Sequence, residues 1–285
     1  MAWMSIGMNS SRARAGEHWR AGIAGALLLA AAIPAMATAA PEVTAAQIIQ
    51  KNAVARGGIE AWRKVQTMVW LGHIVSDHAA LPSMPFVMEQ KRPNKTHFEI
   101  HVMNQTTERL FDGAQGWKVH ADQGNRPAVE PFSIQELRFA QSALGIDGPL
   151  MAAAAKGYAV TLVGVDQIEG HKTYRLDIRL PSGETDHVWV DATTFLEVRY
   201  DRPSDGVLGA ARSVSVVYGD YRSYEGLQLP SVIETGVGPG STPDRMMIER
   251  VVLNPPLDDD RFSHPGQSRR YRPGQLGGAT ASKTR

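Results

Sequence analysis

A short polar stretch in the first half of the chain carries the side chains best suited to bind a metal ion. Residues 97–101 read His-Phe-Glu-Ile-His, so two imidazoles and a carboxylate alternate with apolar residues at the period of a β-strand. His73 and His120 could lie on neighbouring strands, and such groups can ligate zinc without cysteine. However, three ligands on one straight strand span about 13 Å, too far for one ion. We therefore predict neither a metal site nor a cofactor.

Motifs of the common catalytic sites do not occur in the chain. The sequence contains no cysteine, and it contains no HExxH, G-x-S-x-G, P-loop or G-x-G-x-x-G pattern. The glycine-rich residues 236–241 follow a strand pattern without opening a helix, which is typical of a loop. Asp258, Asp259 and Asp260 are contiguous, so they cannot converge on calcium as spaced ligands do. We predict no catalytic residues, although a hydrolase with an unrecognised site stays open as a third hypothesis.

The N-terminus has the pattern of a cleavable signal peptide. Three arginines among the first 20 residues precede an apolar run over residues 21–33, and residues 35–37 or 37–39 offer the small-x-small pattern of signal peptidase sites. The run is well short of the ~20 residues that span a bilayer. We predict a signal peptide over residues 1–39, cleavage near residues 37–40, and export to the periplasm. The lack of cysteine excludes disulfides and a lipidated N-terminus.

Charge is distributed unevenly along the chain. The formal net charge is +1, but the signal region carries +2 and residues 266–285 carry +5, which leaves −6 for residues 41–265. This acidic body argues against nucleic acid as a partner, because phosphate binding needs a basic surface. Residues 266–285 are predicted to form a disordered basic tail, which is either a tether to anionic head groups or an ordinary solvated terminus.

Hydrophobic periodicity predicts a mainly β protein over residues 41–265, in one domain. Val43 to Val65 has helical spacing with a break at Gly57-Gly58, and from Thr67 onward the period changes to two. Two further helices are predicted over Ser133–Leu144 and Pro149–Lys156. The remaining segments predict about ten or eleven strands. This pattern indicates a single large antiparallel sheet, strongly curved or closed, with an N-terminal helix and two mid-chain helices.

The apolar positions of these elements predict that one face of the sheet is apolar. This face either packs as a core or encloses a ligand cavity. Methionines among these positions favour a cavity, because their flexible side chains adapt to ligands of variable shape. Leu81 and Met84 stand in a proline-containing loop that is a candidate rim of the entrance. The predicted cavity-lining residues are Trp70, Phe86, Met88, Phe98, Ile100, Val102, Leu110, Trp117, Leu137, Leu144, Met151, Tyr174, Leu176, Ile178, Val188 and Met246.

Several short motifs follow the first helix in a fixed order. They are Lys91-Arg92-Pro93-Asn94-Lys95, Leu110-Phe111-Asp112-Gly113 before Gly116-Trp117-Lys118-Val119, Tyr174-Arg175-Leu176, Trp189-Val190-Asp191, Leu196-Glu197-Val198 and the closing segment 257–265. With them, residues 42–265 resemble the periplasmic lipoprotein-localisation and outer-membrane lipoprotein-sorting superfamily, which includes LolA and LolB. The resemblance implies a half-barrel of about eleven strands with lid helices, and an apolar cavity that carries acyl chains.

The first functional hypothesis is therefore a periplasmic carrier or chaperone for lipids or lipoproteins, without chemistry. It would act in transport and outer-membrane biogenesis, bind acyl chains, contact membrane-bound donors or acceptors transiently, and be monomeric. The second hypothesis is an envelope protein-interaction or stress-sensing module in which the same sheet has a filled core.

Overall fold

The computed structural model describes residues 43–265, except residues 78, 80, 104, 122–126, 143–144, 206–210 and 239–241. The predicted signal peptide and basic tail therefore lie outside the described residues. Every helix within the described part of the chain is too short or too polar to cross a bilayer.

The described residues form three α-helices, and two of them replace the single N-terminal helix that the sequence predicted. Helix α1 spans Ala45–Ala55 and begins with a capping box between Thr44 and Gln47. Helix α2 spans Ile59–Lys64. The break falls at Gly57 and Gly58, which have φ values of 105° and 90°, where an L side chain would be strained. Helix α3 spans Ile134–Ser142, within the predicted range. The predicted helix over Pro149–Lys156 is shorter, a 3₁₀ helix over Ala153–Lys156.

Thirteen antiparallel strands form one open, curved sheet, which confirms the predicted fold class. The sheet order is β6-β5-β4-β3-β2-β1-β13-β12-β11-β10-β9-β8-β7. Strands that are consecutive in the chain lie side by side, except β6 and β7, which lie at opposite edges, while β1 pairs with β13 at the middle of the sheet. The strands are β1 (Thr67–Val75), β2 (Ser83–Lys91), β3 (Lys95–Val102), β4 (Gln105–Phe111), β5 (Gly116–Ala121), β6 (Pro127–Pro131), β7 (Ala159–Ile168), β8 (His171–Arg179), β9 (Thr185–Asp191), β10 (Glu197–Asp205), β11 (Ala211–Tyr224), β12 (Leu227–Val237) and β13 (Asp244–Leu253).

One face of the sheet packs against the N-terminal helices and residues 146–151 and contains most of the core. Around β1, β2 and β13, buried apolar side chains surround Trp62 of α2. Around β8, β9 and β10, a second group surrounds Ile48 of α1. Because both groups lie on the same face, we call it the helix face. Burial of apolar side chains here supplies most of the favourable free energy of folding.

The opposite face, which we call the back face, is covered in part by the end of the described chain. Phe262, in a 3₁₀ helix over Asp259–Phe262, is fully buried and packs with Val69 and Leu257. Lys91 Nζ donates to the carbonyl oxygen of Leu257 at 2.6 Å and also pairs with Asp259 at 2.7 Å. The closing segment of the sequence therefore acts as a cover for strands β1 to β4.

Candidate ligand-binding site

Most residues that the sequence predicted as cavity lining lie together on the helix face, where they pack in the core. The group around β1, β2 and β13 contains Trp70, Phe86, Met88, Phe98, Ile100, Val102, Met151 and Met246, together with the predicted rim residues Leu81 and Met84. The group around β8 to β10 contains Tyr174, Leu176, Ile178 and Val188. The prediction that these side chains share a face is therefore correct. Their role in ligand binding stays a prediction.

The other four predicted lining residues do not belong to these two groups. Leu110 pairs with His97, and Trp117 pairs with Leu110, so Leu110 and Trp117 lie on the back face, contrary to the prediction. The next residue of β4, Phe111, pairs with Thr96 and therefore lies on the helix face. Leu137 lies half-buried on α3. Leu144 lies outside the described residues.

A pocket of about 1010 Å³ lies beside α3, on the helix face of the sheet. Its volume is at the upper end of the range of about 300–1,000 Å³ for small-molecule sites. Arg109 of β4 and Arg202 of β10 lie on the helix face, because Arg109 pairs with Phe98 and Arg202 follows the core residue Tyr200 by two positions. We call this the α3 pocket. It is lined by Arg109, Gln135, Glu136, Arg138, Phe139, Gln141, Lys156, Tyr158, Leu180, Pro181, Ser182, Glu184, Arg202 and Pro203.

Helix α3 is held over the sheet by its first turn. The backbone N–H of Glu136 donates to Ser133 Oγ at 3.2 Å, and the N–H of Ser133 donates to Glu136 Oε2 at 2.8 Å, so the two residues form a capping box. Glu136 also accepts from Arg109 at 3.0 Å and lies 3.2 Å from Lys118 Nζ. Burial alone would raise the pKa of Glu136, but these hydrogen bonds outweigh it and lower the pKa to about 2. The helix is thereby anchored at its N-terminus.

A second segment beside the pocket, residues 145–156, is held in place by the buried carboxylate of Asp147. Asp147 accepts from Lys156 Nζ at 3.1 Å and from Arg92 Nη1 at 3.2 Å, while Arg56 donates to its backbone oxygen at 2.8 Å. Arg56 also pairs with Glu197 at 3.3 Å. Burial raises the pKa of Asp147, but the charges of Lys156 and Arg92 outweigh burial and leave it lowered. These contacts tether residues 145–156, a segment that contains Lys156 of the pocket lining and Met151 of the packed core.

The apolar part of the lining lies beside Arg202. Phe139 of α3 is 47% exposed, and the guanidinium carbon of Arg202 lies 3.8 Å from the centre of its ring. Tyr158, Leu180, Pro181 and Pro203 add further apolar surface. The pocket therefore combines cationic groups with aromatic and aliphatic walls, which is the complement of an amphiphile.

The polar side chains of residues 97–101 lie on the back face, as the alternation predicted, but His97 and Glu99 are buried there and His101 is half-buried. His97 is fully buried, and its Nδ1 lies 3.2 Å from Glu89 Oε2. Its Nε2 lies 3.0 Å from Glu108 Oε2 and 3.3 Å from Glu99 Oε1. Arg261, from the closing segment, binds Glu89 with two hydrogen bonds. Because the closing segment covers this part of the back face, its polar residues are buried.

The charge state of this cluster follows from its geometry. Burial by itself lowers the pKa of His97, but hydrogen bonds with Glu108 and Glu89 and the charge of Glu99 raise it to about 9. Burial raises the pKa of Glu89, and the contacts with His97 and Arg261 outweigh it, so the pKa is lowered. Ligand atoms of His97, Glu99 and Glu108 lie within 4.8 Å of one another, so these three could approach one ion. The residues that the sequence suggested on neighbouring strands were His73 and His120, whereas the residue that joins His97 and Glu99 is Glu108 of β4.

The sheet and its helices define the class of fold, that of the lipoprotein-sorting half-barrels, and the predicted resemblance is confirmed at the level of the fold. The chain is similar to the outer membrane lipoprotein-sorting protein domain from Vibrio parahaemolyticus, at 10% identity over 76% of this chain and 94% of that chain, with a TM-score of 0.50.

Two further solved structures align over a similar length. The LolA superfamily protein from Nitrosomonas europaea is 15% identical over 79% of this chain and 100% of its own, with a TM-score of 0.49. The DUF1329 family protein from Desulfovibrio piger is 13% identical over 76% and 98%, with a TM-score of 0.49. No protein-family model matches the chain, and no curated protein sequence matches it.

Proposed function

We propose that this protein is an exported carrier that binds the acyl chains of a lipid or lipoprotein in the α3 pocket and performs no chemistry on them. The observation that carries the proposal is the pocket itself, about 1010 Å³ in volume and open on the helix face of a half-barrel. Transfer of apolar surface from water contributes about 0.8 kcal/mol for each buried CH₂, which suffices to hold one chain.

Residues 145–156 supply a route from the pocket to the apolar residues of the sheet. Lys156 lines the pocket, while Met151 packs in the core group around β1, β2 and β13. When this segment moves away from the sheet, the predicted lining residues would become the wall of a longer cavity. We propose that the ligand enters this cavity past Leu81 and Met84. The contacts of Asp147, which hold this segment in place, then determine whether the cavity lengthens enough to take long acyl chains.

The proposal also includes the cellular location of the protein and the membranes that it contacts. The signal-peptide pattern supports a periplasmic location, and a carrier there would contact donor and acceptor membranes only transiently. The fold of the lipoprotein-sorting domain supports acyl chains as the cargo class, by analogy of fold.

Displacement of a neutral naphthylamine dye by dodecanol tests binding at the α3 pocket. The variant Phe139→Ala removes the aromatic wall, and we expect affinity for dodecanol to fall about five- to tenfold, the effect of losing roughly 1 kcal/mol of apolar contact. Ile134→Ala is the matched control, because Ile134 is 70% exposed on the same helix and does not line the pocket. Equal affinity in all three proteins, or no displacement by dodecanol, would contradict the proposal.

A further inference from the structure

The α3 pocket carries an excess of positive charge. Its lining contains four cations, Arg109, Arg138, Lys156 and Arg202, against the two carboxylates Glu136 and Glu184. Two of the four cations are already committed to carboxylates. Arg109 binds Glu136 at 3.0 Å, and Lys156 binds Asp147 at 3.1 Å. Arg138 and Arg202 remain, and of the lining carboxylates only Glu184 is left to oppose their charge.

Arg202 is half-buried, whereas Arg138 is exposed to water that solvates its charge. Among the residues that the structure describes, the buried Nε of Arg202 has no hydrogen-bond acceptor. The nearby carboxylate of Asp186 is engaged by the hydroxyl of Tyr200, which donates at 2.5 Å. The contact of Arg202 with the ring of Phe139 leaves the donors of the guanidinium without an anionic acceptor.

A half-buried guanidinium without an anion is costly, because burial removes water from the charge. Burial accordingly lowers the pKa of Arg202 from its ordinary value. Arginine presents a planar fork of donors that matches carboxylate and phosphate oxygens. An anionic group in the pocket would satisfy these donors, while the chain attached to it would lie against Phe139, Tyr158 and Leu180.

We infer that the α3 pocket selects amphiphiles with an anionic head group, a carboxylate or a phosphate, and that Arg202 is the residue that determines this specificity. Arg138, which is exposed at the pocket, contributes a second positive charge. The inference rests on the proposed function, because it names the class of lipid that the carrier takes.

The experiment compares ligands that share a chain and differ in the head group. Dodecanoate, dodecyl phosphate and dodecanol are titrated against the full-length mature protein by dye displacement, with acetate and inorganic phosphate as head groups alone. We expect the anionic ligands to bind about ten- to hundredfold more tightly than dodecanol, as charge-assisted hydrogen bonds predict. In Arg202→Gln this ratio should approach one.

Two control variants make the result specific. Arg250→Gln removes a cation from β13 on the back face, where Arg250 pairs with Leu71, and should leave the ratio unchanged. Arg202→Lys keeps the charge without the fork and should retain part of the ratio. Circular dichroism and thermal melts establish that each variant is folded.

Each outcome distinguishes the two proposals. Equal binding of dodecanoate and dodecanol to wild type, or a ratio that survives Arg202→Gln, overturns the inference and leaves the carrier function standing. Binding of inorganic phosphate as tightly as dodecyl phosphate also overturns it, since the site would then take a free anion. Failure of every twelve-carbon ligand to bind overturns the carrier function itself.

Discussion

The charge of the buried His97 predicts a distinctive dependence of stability on pH. His97 is surrounded by Glu89, Glu99 and Glu108, and these contacts raise its pKa from 6.5 to about 9. A raised pKa means that the folded state binds the proton more tightly than the unfolded state. The difference corresponds to about 3 kcal/mol of stability, which is fully present below pH 6.5 and is lost as the pH rises through about 9.

The variant His97→Gln isolates this contribution, because glutamine cannot be protonated. Urea unfolding followed by tryptophan fluorescence gives the free energy of unfolding of both proteins at about pH 6, 7.5 and 9.5. We expect the stability difference between wild type and variant to shrink by about 3 kcal/mol across this range. His171→Gln is the control, because the side chain of His171 is 75% exposed, and it should show no such trend. A difference that is constant with pH, or that grows toward alkaline pH, would refute the assigned charge state.

Two further substitutions test the fold around the site. Gly72→Ala would place a Cβ 1.9 Å from the backbone oxygen of Met247, so we expect the free energy of unfolding in urea to fall by about 3 kcal/mol or more. Gly164→Ala is the control, because the space around Gly164 is open, and it should change the free energy of unfolding by less than about 0.5 kcal/mol. Asp147→Asn removes a buried carboxylate from Arg92 and Lys156, so we expect about 3 kcal/mol of destabilisation and faster hydrogen exchange in residues 146–157. Unchanged exchange in that segment would mean that Asp147 is not its tether.

Much of the fold could be predicted from the period of apolar residues, because alternation fixes which side chains share a face. The pattern failed where both faces are buried. Leu110 and Phe111 are adjacent and equally buried, one on each face, so alternation alone cannot assign them. Strand β6 escaped prediction because prolines stand at both of its ends, and proline is tolerated there only because β6 lies at the sheet edge.

The candidate site was harder to predict because its polar residues come from separate parts of the chain. Arg202 stands two positions after the inward-facing Tyr200, and that spacing was the one local signal available. The convergence of α3 with the turn between β8 and β9 depends on sheet curvature, which periodicity does not encode. Similarly, the burial of His97 depends on Arg261, which lies more than 160 residues further along the chain.

The most direct test of the carrier function is native mass spectrometry of the protein recovered from the periplasm of a cell that exports it, under conditions that keep bound molecules. We predict one anionic amphiphile bound to each chain, and a smaller bound fraction in a sample of Phe139→Ala prepared in parallel. A ligand-free spectrum of wild type, with a crystal structure in which the α3 pocket holds only water, would contradict the account.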